Sequence, residues 1–259
     1  MECERKNTFN DIANEYEKNR PTYPAKLFKD IVQYADLDKN DRIIEIGSGT
    51  GKATEGFVNI GYNNITCVEL GSELIALTQE KFKNEKTINF VHRSFEEAKI
   101  KSNDYDLAIS ATAFHFVDPK VGYPKVHRIL KKGSSLAFFW TVHVQEYDEI
   151  YNQIRELYKK YAPELNDEKM PTPEEDINDI GKNIKATELF SNLEIKKYKW
   201  MHTYTSDEYV GLLNTHSRHR ILEKEKKEPL LKEIKEIIDN NGGKIEKQCL
   251  VALFLGKKI

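Results

Sequence analysis

The sequence is poor in cysteine, lacks long apolar runs and carries almost balanced charge, and each shortage removes a class of protein. Cys3, Cys67 and Cys249 are odd in number and widely scattered. They offer neither a disulfide framework nor a pair at metal-ligand spacing, so no metal is expected. Cys67 and Cys249 sit in apolar runs and read as small core residues. The longest apolar candidate, Leu136 to Val144, is the length of a strand and far short of a membrane span. The N-terminus is charged from Glu2 to Lys6 with no apolar signal region behind it, so a cytoplasmic location is the expectation. A formal net charge of −2 gives no general basic field for a polyanion. Neither nucleic acid nor membrane is an expected partner.

What is present suits a globular enzyme. With 259 residues, 39% hydrophobic and 32% charged, the chain fits one enlarged α/β domain or one domain with a small insertion. Arg42–Ile46, Ile65–Leu70, Ile88–His92, Tyr105–Ser110 and Ser135–Trp140 read as short buried strands bounded by turn formers. Lys52–Ile60, Ser72–Lys83 and Pro119–Leu130 between them carry helical spacing. Repeated β-α units predict a doubly wound, mostly parallel sheet with helices on both faces. Thr8–Asn19 and Ala25–Ala35 read as helices joined by Arg20-Pro21-Thr22-Tyr23-Pro24, whose prolines stop the first. After the fifth strand, Glu146–Tyr161 reads as an amphipathic helix and Ala162 to Gly181 as a polar, mobile loop. Leu193–Tyr204 alternates like an edge strand, Ser206–Leu213 and Leu222–Asn240 are helical, and Gln248–Leu255 is a final strand.

The chemistry concentrates in Glu45-Ile46-Gly47-Ser48-Gly49-Thr50-Gly51, a glycine turn between a buried strand and a helix. Glycine there permits positive φ and lets a ligand lie against bare backbone near unpaired helix N–H groups. Lys52 stands where the third glycine of a G-x-G-x-x-G dinucleotide loop would be, and the ending of a phosphate-binding P-loop is absent. Glu69 ends the next strand, where an acidic side chain can accept ribose hydroxyls of an adenosine cofactor.

These residues resemble the first two motifs of the class I S-adenosylmethionine-dependent methyltransferases. The resemblance continues through Phe90 to Glu96, the Tyr105–Pro119 stretch similar to the fourth-strand motif of the small-molecule branch, and Ile129 to Gly133. Phe9 through Tyr16 to Pro24 is similar to that branch's N-terminal lid. Ser94 stands where the family more often has Asp, and Lys132-Gly133 lacks a common proline. The family fold is Rossmann-like, with seven strands, an N-terminal helical lid and a helical insertion. It implies residues 1–40 as lid, 41–145 with 193–259 as sheet domain, and 146–192 as insertion. It implies S-adenosylmethionine as cofactor. Glu45, Gly47 and Gly49 would meet its methionine part, with Ser48 and Gly51 of the same loop also binding the cofactor, Glu69 would meet its ribose, and Leu70, Ser94 and Phe95 its adenine. Ala111 would line the same site, Arg20 would pair with the carboxylate, and Tyr16 would close over it. Tyr16 and Arg20 are equally compatible with ordinary helix packing.

Methyl transfer from a sulfonium needs positioning more than acid-base machinery. His115, just past the fourth strand, is the candidate general base, with simple packing as the alternative. Trp140 and His143 end the fifth strand and are candidate pocket residues, Trp140 otherwise being core. His216 and Arg218 are candidates for recognising an anionic acceptor, or form a basic helix cap. Ser110-Ala111-Thr112-Ala113 replaces the Asn/Asp-Pro-Pro-aromatic tetrad of nucleic-acid amine methyltransferases, which favours a small-molecule acceptor. Two alternatives stay open: a sensor that binds the cofactor without catalysis, and a nicotinamide-dependent oxidoreductase.

Overall fold

A computed structural model describes residues 12–259. The first residues of the expected Thr8–Asn19 helix, Phe9 among them, lie outside the described residues; α1 is Ala13–Asn19. In chain order there follow α2 (Ala25–Ala35), β1 (Ile43–Ile46), α3 (Lys52–Val58), β2 (Ile65–Glu69), α4 (Ser72–Lys81), β3 (Asn89–His92) and β4 (Tyr105–Ala111). Next come α5 (Pro119–Ile129), β5 (Leu130–Val142), α6 (Glu149–Tyr161), α7 (Pro173–Ala186), β6 (Phe190–Thr205) and α8 (Ser206–Asn214). The short α9 (Ser217–Arg220), α10 (Lys224–Asn240) and β7 (Lys244–Lys258) complete the chain.

The strands form one seven-stranded sheet in the order β3-β2-β1-β4-β5-β7-β6. β1 pairs in parallel with β2 and β4, β2 with β3, and β4 with β5, while the sheet as a whole is mixed. β1 and β2 are buried at every position, which is why they read as unbroken apolar runs. β5 starts five residues before the expected Ser135 and accommodates Gly133 through a register shift opposite Tyr105 and Leu107. The reversal of strand order between β2-β1 and β4 places a crevice at the carboxyl ends of these strands, the usual ligand position in open α/β sheets.

Contacts divide the chain into two compact units. The larger contains Thr22–Thr141, Ile177–Tyr198 and Val251–Ile259. Its core includes Leu27, Ile31, Ile43, Ile44, Phe57, Phe138, Phe139 and Phe254, all essentially inaccessible. Each such Phe contributes roughly 1.5–3 kcal/mol by leaving water. The other unit contains Met1–Pro21, Val142–Asp176 and Lys199–Leu250. In it α10 packs on α6 and α8, and α1 packs on α8, around Tyr151, Ile154, Leu212, Leu230, Ile234 and Ile238. This division cuts through the expected 146–192 insertion, because Ile177–Tyr198 keeps company with the sheet.

One expectation is overturned. Ala162 to Gly181 is not a loop but two single turns and the first part of α7. Pro173 occupies the first helical turn, where a missing N–H costs nothing. Thr172 and Glu175 exchange bonds as a capping box: the Thr172 N–H and hydroxyl donate to Glu175 at 2.8 and 2.9 Å, and the Glu175 N–H donates to Thr172 Oγ1 at 3.3 Å. Ile177, Gly181 and Ile184 form the buried stripe. Among the described residues no helix is long and apolar enough to cross a membrane, and no cluster fit for a metal ion occurs.

Candidate active site

The glycine loop and the acidic strand end form one hydrogen-bonded object in the sheet unit. The N–H groups of Gly47 and Ser48 donate to Val68 O at 2.8 and 3.2 Å, and the Gly49 N–H donates to Glu69 Oε2 at 2.8 Å. Glu69 Oε1 accepts from the N–H groups of Leu70 and Gly71 at 2.9 and 2.8 Å. Four lone-pair sites on the carboxylate thus receive three donors, leaving one on Oε2. Burial still pushes the Glu69 carboxyl above its ordinary range, against those three bonds. The Thr78 hydroxyl on α4 donates to Gly49 O at 2.8 Å and braces the loop from the other side.

Two glycines have different reasons to be glycine. At Gly47, φ is +70° and a Cβ would come 2.5 Å from Cβ of Ala113. At Gly49, φ is +55° but nothing lies within 4 Å of an added Cβ. The first glycine is required by a neighbour; the second faces open space. Ser48 is buried beside the Cys67 thiol, and the Thr50 hydroxyl is buried without a hydrogen-bond partner. Gly51 closes the turn through its N–H to Ser48 O at 2.9 Å and begins α3.

Glu45, 1% exposed, accepts a bond from the Thr54 hydroxyl. Burial, the dominant cause, raises its carboxyl to about 8, and the nearby Glu69 charge adds to this. Glu45 is therefore mostly protonated at neutral pH. Leu70 is exposed at the end of β2, unusual for leucine, and its carbonyl lies 2.9 Å from His92 Nε2. Phe95 is buried, with the Lys125 ammonium over its ring at 5.0 Å. Ser94 accepts from the Glu97 N–H at 3.3 Å, an ordinary turn contact. Ala111 ends β4 opposite Phe139.

Past β4, Trp140 and His115 are brought together. The indole Nε1 donates to His115 Nδ1 at 3.2 Å. An indole N–H is only ever a donor, so Nδ1 carries the lone pair and Nε2 carries the proton of the neutral ring. Service as a general base would cost His115 this bond. Trp140 is otherwise core, 8% exposed and packed edge-on against Phe254 at 5.5 Å. Two neighbours escaped sequence reasoning. Thr112 adopts a left-handed backbone, φ 55°, and its hydroxyl accepts from the Thr141 N–H at 3.2 Å and lies 3.3 Å from the Tyr23 hydroxyl. Only the Tyr23-Pro24 pair hinted at this arrangement, and nothing in the sequence marks Thr112.

The remaining candidates belong to the other unit. The Arg20 guanidinium donates to Thr215 Oγ1 at 2.8 Å and Thr215 O at 3.1 Å, and lies over the Tyr16 ring at 5.3 Å. His143 Nε2 is 3.0 Å from Asp167 Oδ2, while Arg155 Nε donates to Oδ1 at 3.1 Å. The His143 bond, more than Arg155, holds the Asp167 carboxyl below its ordinary range. His216 is half-buried, and burial followed by the charge of Arg20 keeps its imidazole neutral well below 6.5. Arg218 is exposed on α9 and does not share the setting of His216.

A glycine loop bonded to an acidic strand end thus sits at the carboxyl ends of β1 and β2, beside the point where the strand order reverses. Residues 44–138 match the methyltransferase domain family. An uncharacterised methyltransferase of Mycobacterium tuberculosis is 24% identical over 220 residues, covering 84% of this chain and 81% of its own. A probable S-adenosylmethionine-dependent methyltransferase of Saccharomyces cerevisiae is 27% identical over 152 residues, 57% of this chain and 50% of its own. Among solved structures, a putative type II methyltransferase from Anaeromyxobacter dehalogenans shares the fold with a TM-score of 0.68 at 18% identity, over 92% of this chain and 97% of that one. The matched domain, these relatives and the shared fold support a class I S-adenosylmethionine-dependent methyltransferase.

Proposed function

We propose that the protein is a cytoplasmic enzyme that methylates a small molecule, with S-adenosylmethionine held along the glycine loop. The observation that carries this reading is the Gly49–Glu69 bond beside the open flank of Gly49. It presents bare backbone and the one remaining acceptor position of the Glu69 carboxylate to the same space. The free acceptor position on Glu69 Oε2 suits one ribose hydroxyl; a second requires the Gly49 N–H to share its acceptor. Exposed Leu70 offers an apolar face to the adenine, with Ser94 and Phe95 at its edge. Gly47, Ser48, Gly51 and Ala111 shape the floor, the buried Thr50 hydroxyl offers one more polar contact, and Glu45 faces the methionine part. Tyr16 and Arg20 are proposed for the cofactor's aromatic and carboxylate contacts.

When bound, the cofactor supplies a methyl group already activated on a sulfonium for in-line displacement by the acceptor. The chain's own task is then to orient the acceptor and keep water out. His115, with its proton on Nε2, donates to an acceptor oxygen rather than removing a proton, and Trp140 fixes that tautomer. His143, His216 and Arg218 remain the proposed acceptor-side residues. A small-molecule acceptor is favoured over nucleic acid by Ser110 to Ala113 and the balanced charge. A structural neighbour, phosphoethanolamine N-methyltransferase 2 of Haemonchus contortus (TM-score 0.55, 15% identity over 96% of this chain and 57% of that one), holds a small phosphorylated amine and S-adenosylhomocysteine.

Calorimetry with S-adenosylhomocysteine and NAD tests the reading. The sulfur ligand alone binds, and Glu69→Ala weakens it by about 10- to 100-fold, the usual value of bonds to a buried charge. Binding of NAD in its place overturns the assignment. Label from methyl-labelled donor appears in a small-molecule product when a metabolite extract is added.

A further inference from the structure

The smaller unit assembles a cluster of cationic and donor groups of which the proposed cofactor contacts take only Arg20 and the proposed acceptor contacts only His143 and His216. Arg20 is locked onto Thr215, which is fully buried and directly precedes His216. The His216 ring meets His219 edge-on at 5.7 Å. His219 is 7% exposed, its Nε2 lies 2.7 Å from the Tyr158 hydroxyl, and its Nδ1 has no partner. The Tyr204 hydroxyl is buried beside Cys249 and also has no hydrogen-bond partner. Lys247 reaches the same region from β7, and among the described residues no carboxylate lies within 4.0 Å of its ammonium.

Among the described residues, Glu146 and Asp167 are the carboxylates that act on Lys247, and both are engaged. Asp167 is held by His143 and Arg155, and Glu146 Oε1 accepts from the Gln248 N–H at 2.7 Å. Among the described residues, Arg20 and Lys247 thus stand as cations with no carboxylate within 4.0 Å, an excess of positive charge in a region largely removed from water. Such an excess is costly unless an anion completes it, since buried charges need partners and buried donors need acceptors. Burial above all, and then the charges of Arg20, His219, Lys247 and His143, disfavour the protonated form of His216. Lys247 itself is held below its ordinary range by burial, although Glu146 and Asp167 oppose this. Every one of these shifts relaxes when a negative charge arrives.

We propose that the cluster of Tyr204, His216, His219 and Lys247, beside the Arg20–Thr215 pair, binds the carboxylate of a small anionic molecule. Calling that molecule the methyl acceptor rests on the methyl-transfer reading; the binding itself does not. Oxygen acceptors then satisfy the Tyr204 hydroxyl and His219 Nδ1, and the imidazole of His216 takes up a proton as the ligand enters.

The test titrates the full chain with acetate, succinate, citrate and inorganic phosphate, each up to about 10 mM, with succinamide as the uncharged control. Histidine ring nitrogens are followed by NMR, with and without S-adenosylhomocysteine. At least one carboxylate saturates and moves the His216 ring toward imidazolium near neutral pH, while succinamide does not. Lys247→Gln and His216→Gln each weaken it by about tenfold or more, the scale of a charge-assisted bond, with unchanged melting showing that the fold survives. If either variant melts early, Lys247→Arg, which keeps the charge, retains carboxylate binding in the same titration. No response to any carboxylate overturns the proposal, and a response to phosphate alone overturns its carboxylate chemistry. Binding of S-adenosylhomocysteine without carboxylate binding defeats this inference only. Carboxylate binding without S-adenosylhomocysteine binding defeats the methyl-donor reading and leaves this site standing.

Discussion

Around Gly49 the sheet unit answers its donors: the N–H groups of Gly47, Ser48, Gly49, Leu70 and Gly71 all find acceptors on β2 or its last side chain. Around His216 the other unit gathers donors without answering them, leaving Tyr204 and His219 with unsatisfied buried atoms. The first region is organised before any ligand arrives; the second keeps its charge in waiting. A site of the first kind gains affinity by spending little on reorganisation. One of the second kind gains discrimination, because a ligand lacking the complementary charge leaves the burial penalty in place.

The sharpest way to break this contrast is at the two glycines. Gly47→Ala collides with Ala113 at a positive φ, so we expect loss of ligand binding together with a stability loss of several kcal/mol, on the order of a severe overpacking mutation. Gly49→Ala meets no neighbour, so its stability cost stays near 1–2 kcal/mol, from the left-handed backbone, while S-adenosylhomocysteine binding falls steeply. Thermal melting and calorimetry on both variants separate the cases. Equal destabilisation, or full binding by Gly49→Ala, removes the claim that the open flank receives the ligand.

A smaller effect follows from Glu45. Its carboxyl is raised by burial from the ordinary 4.5 to about 8, so the folded state holds a proton the unfolded chain releases. That contribution is fully present below pH 4.5 and is lost as pH rises toward 8. Glu45→Gln has no such dependence. Relative to wild type, the variant therefore gains stability with pH, by a few kcal/mol between about pH 5 and 8. Melting curves across that range check it, and a constant difference shows that Glu45 is ionised in the fold. The smallest effect is expected at Thr172→Ala, about 1 kcal/mol for a lost cap, with ligand binding unchanged.

Legibility followed sequence distance. The loop from Glu45 to Gly51, Glu69 at the end of β2 and the strands around them could be read because each is a local pattern with one physical meaning. α7 was readable in principle, since Thr172-Pro173-Glu174-Glu175 is a capping box with proline in its first turn. Pro171 and Pro173, two residues apart, give the same stretch the signature of a loop. His219 follows His216 by three residues on the helix that His216 caps, but Tyr204 and Lys247 come from β6 and β7 with no common motif, and only tertiary packing unites them with it. His115 was placed correctly beyond β4, yet its tautomer depends on Trp140, twenty-five residues away. Strand order was beyond reach as well: nothing local in Lys244–Lys258 says that it enters between β5 and β6.

That last arrangement bears on how the protein comes into being. β6 is made before β7, yet its place in the sheet is beside β7, not beside β5. During synthesis β6, whose one neighbour in the sheet is β7, must wait with its ladder hydrogen bonds unmade until the seventh strand has been translated. Both units also draw their pieces from three separated stretches of chain, so few contacts can form early. Such a topology has a high contact order and folds slowly, with an apolar sheet edge at β5 open in the meantime. The nascent chain, more than the finished enzyme, is where chaperone dependence and aggregation should concentrate.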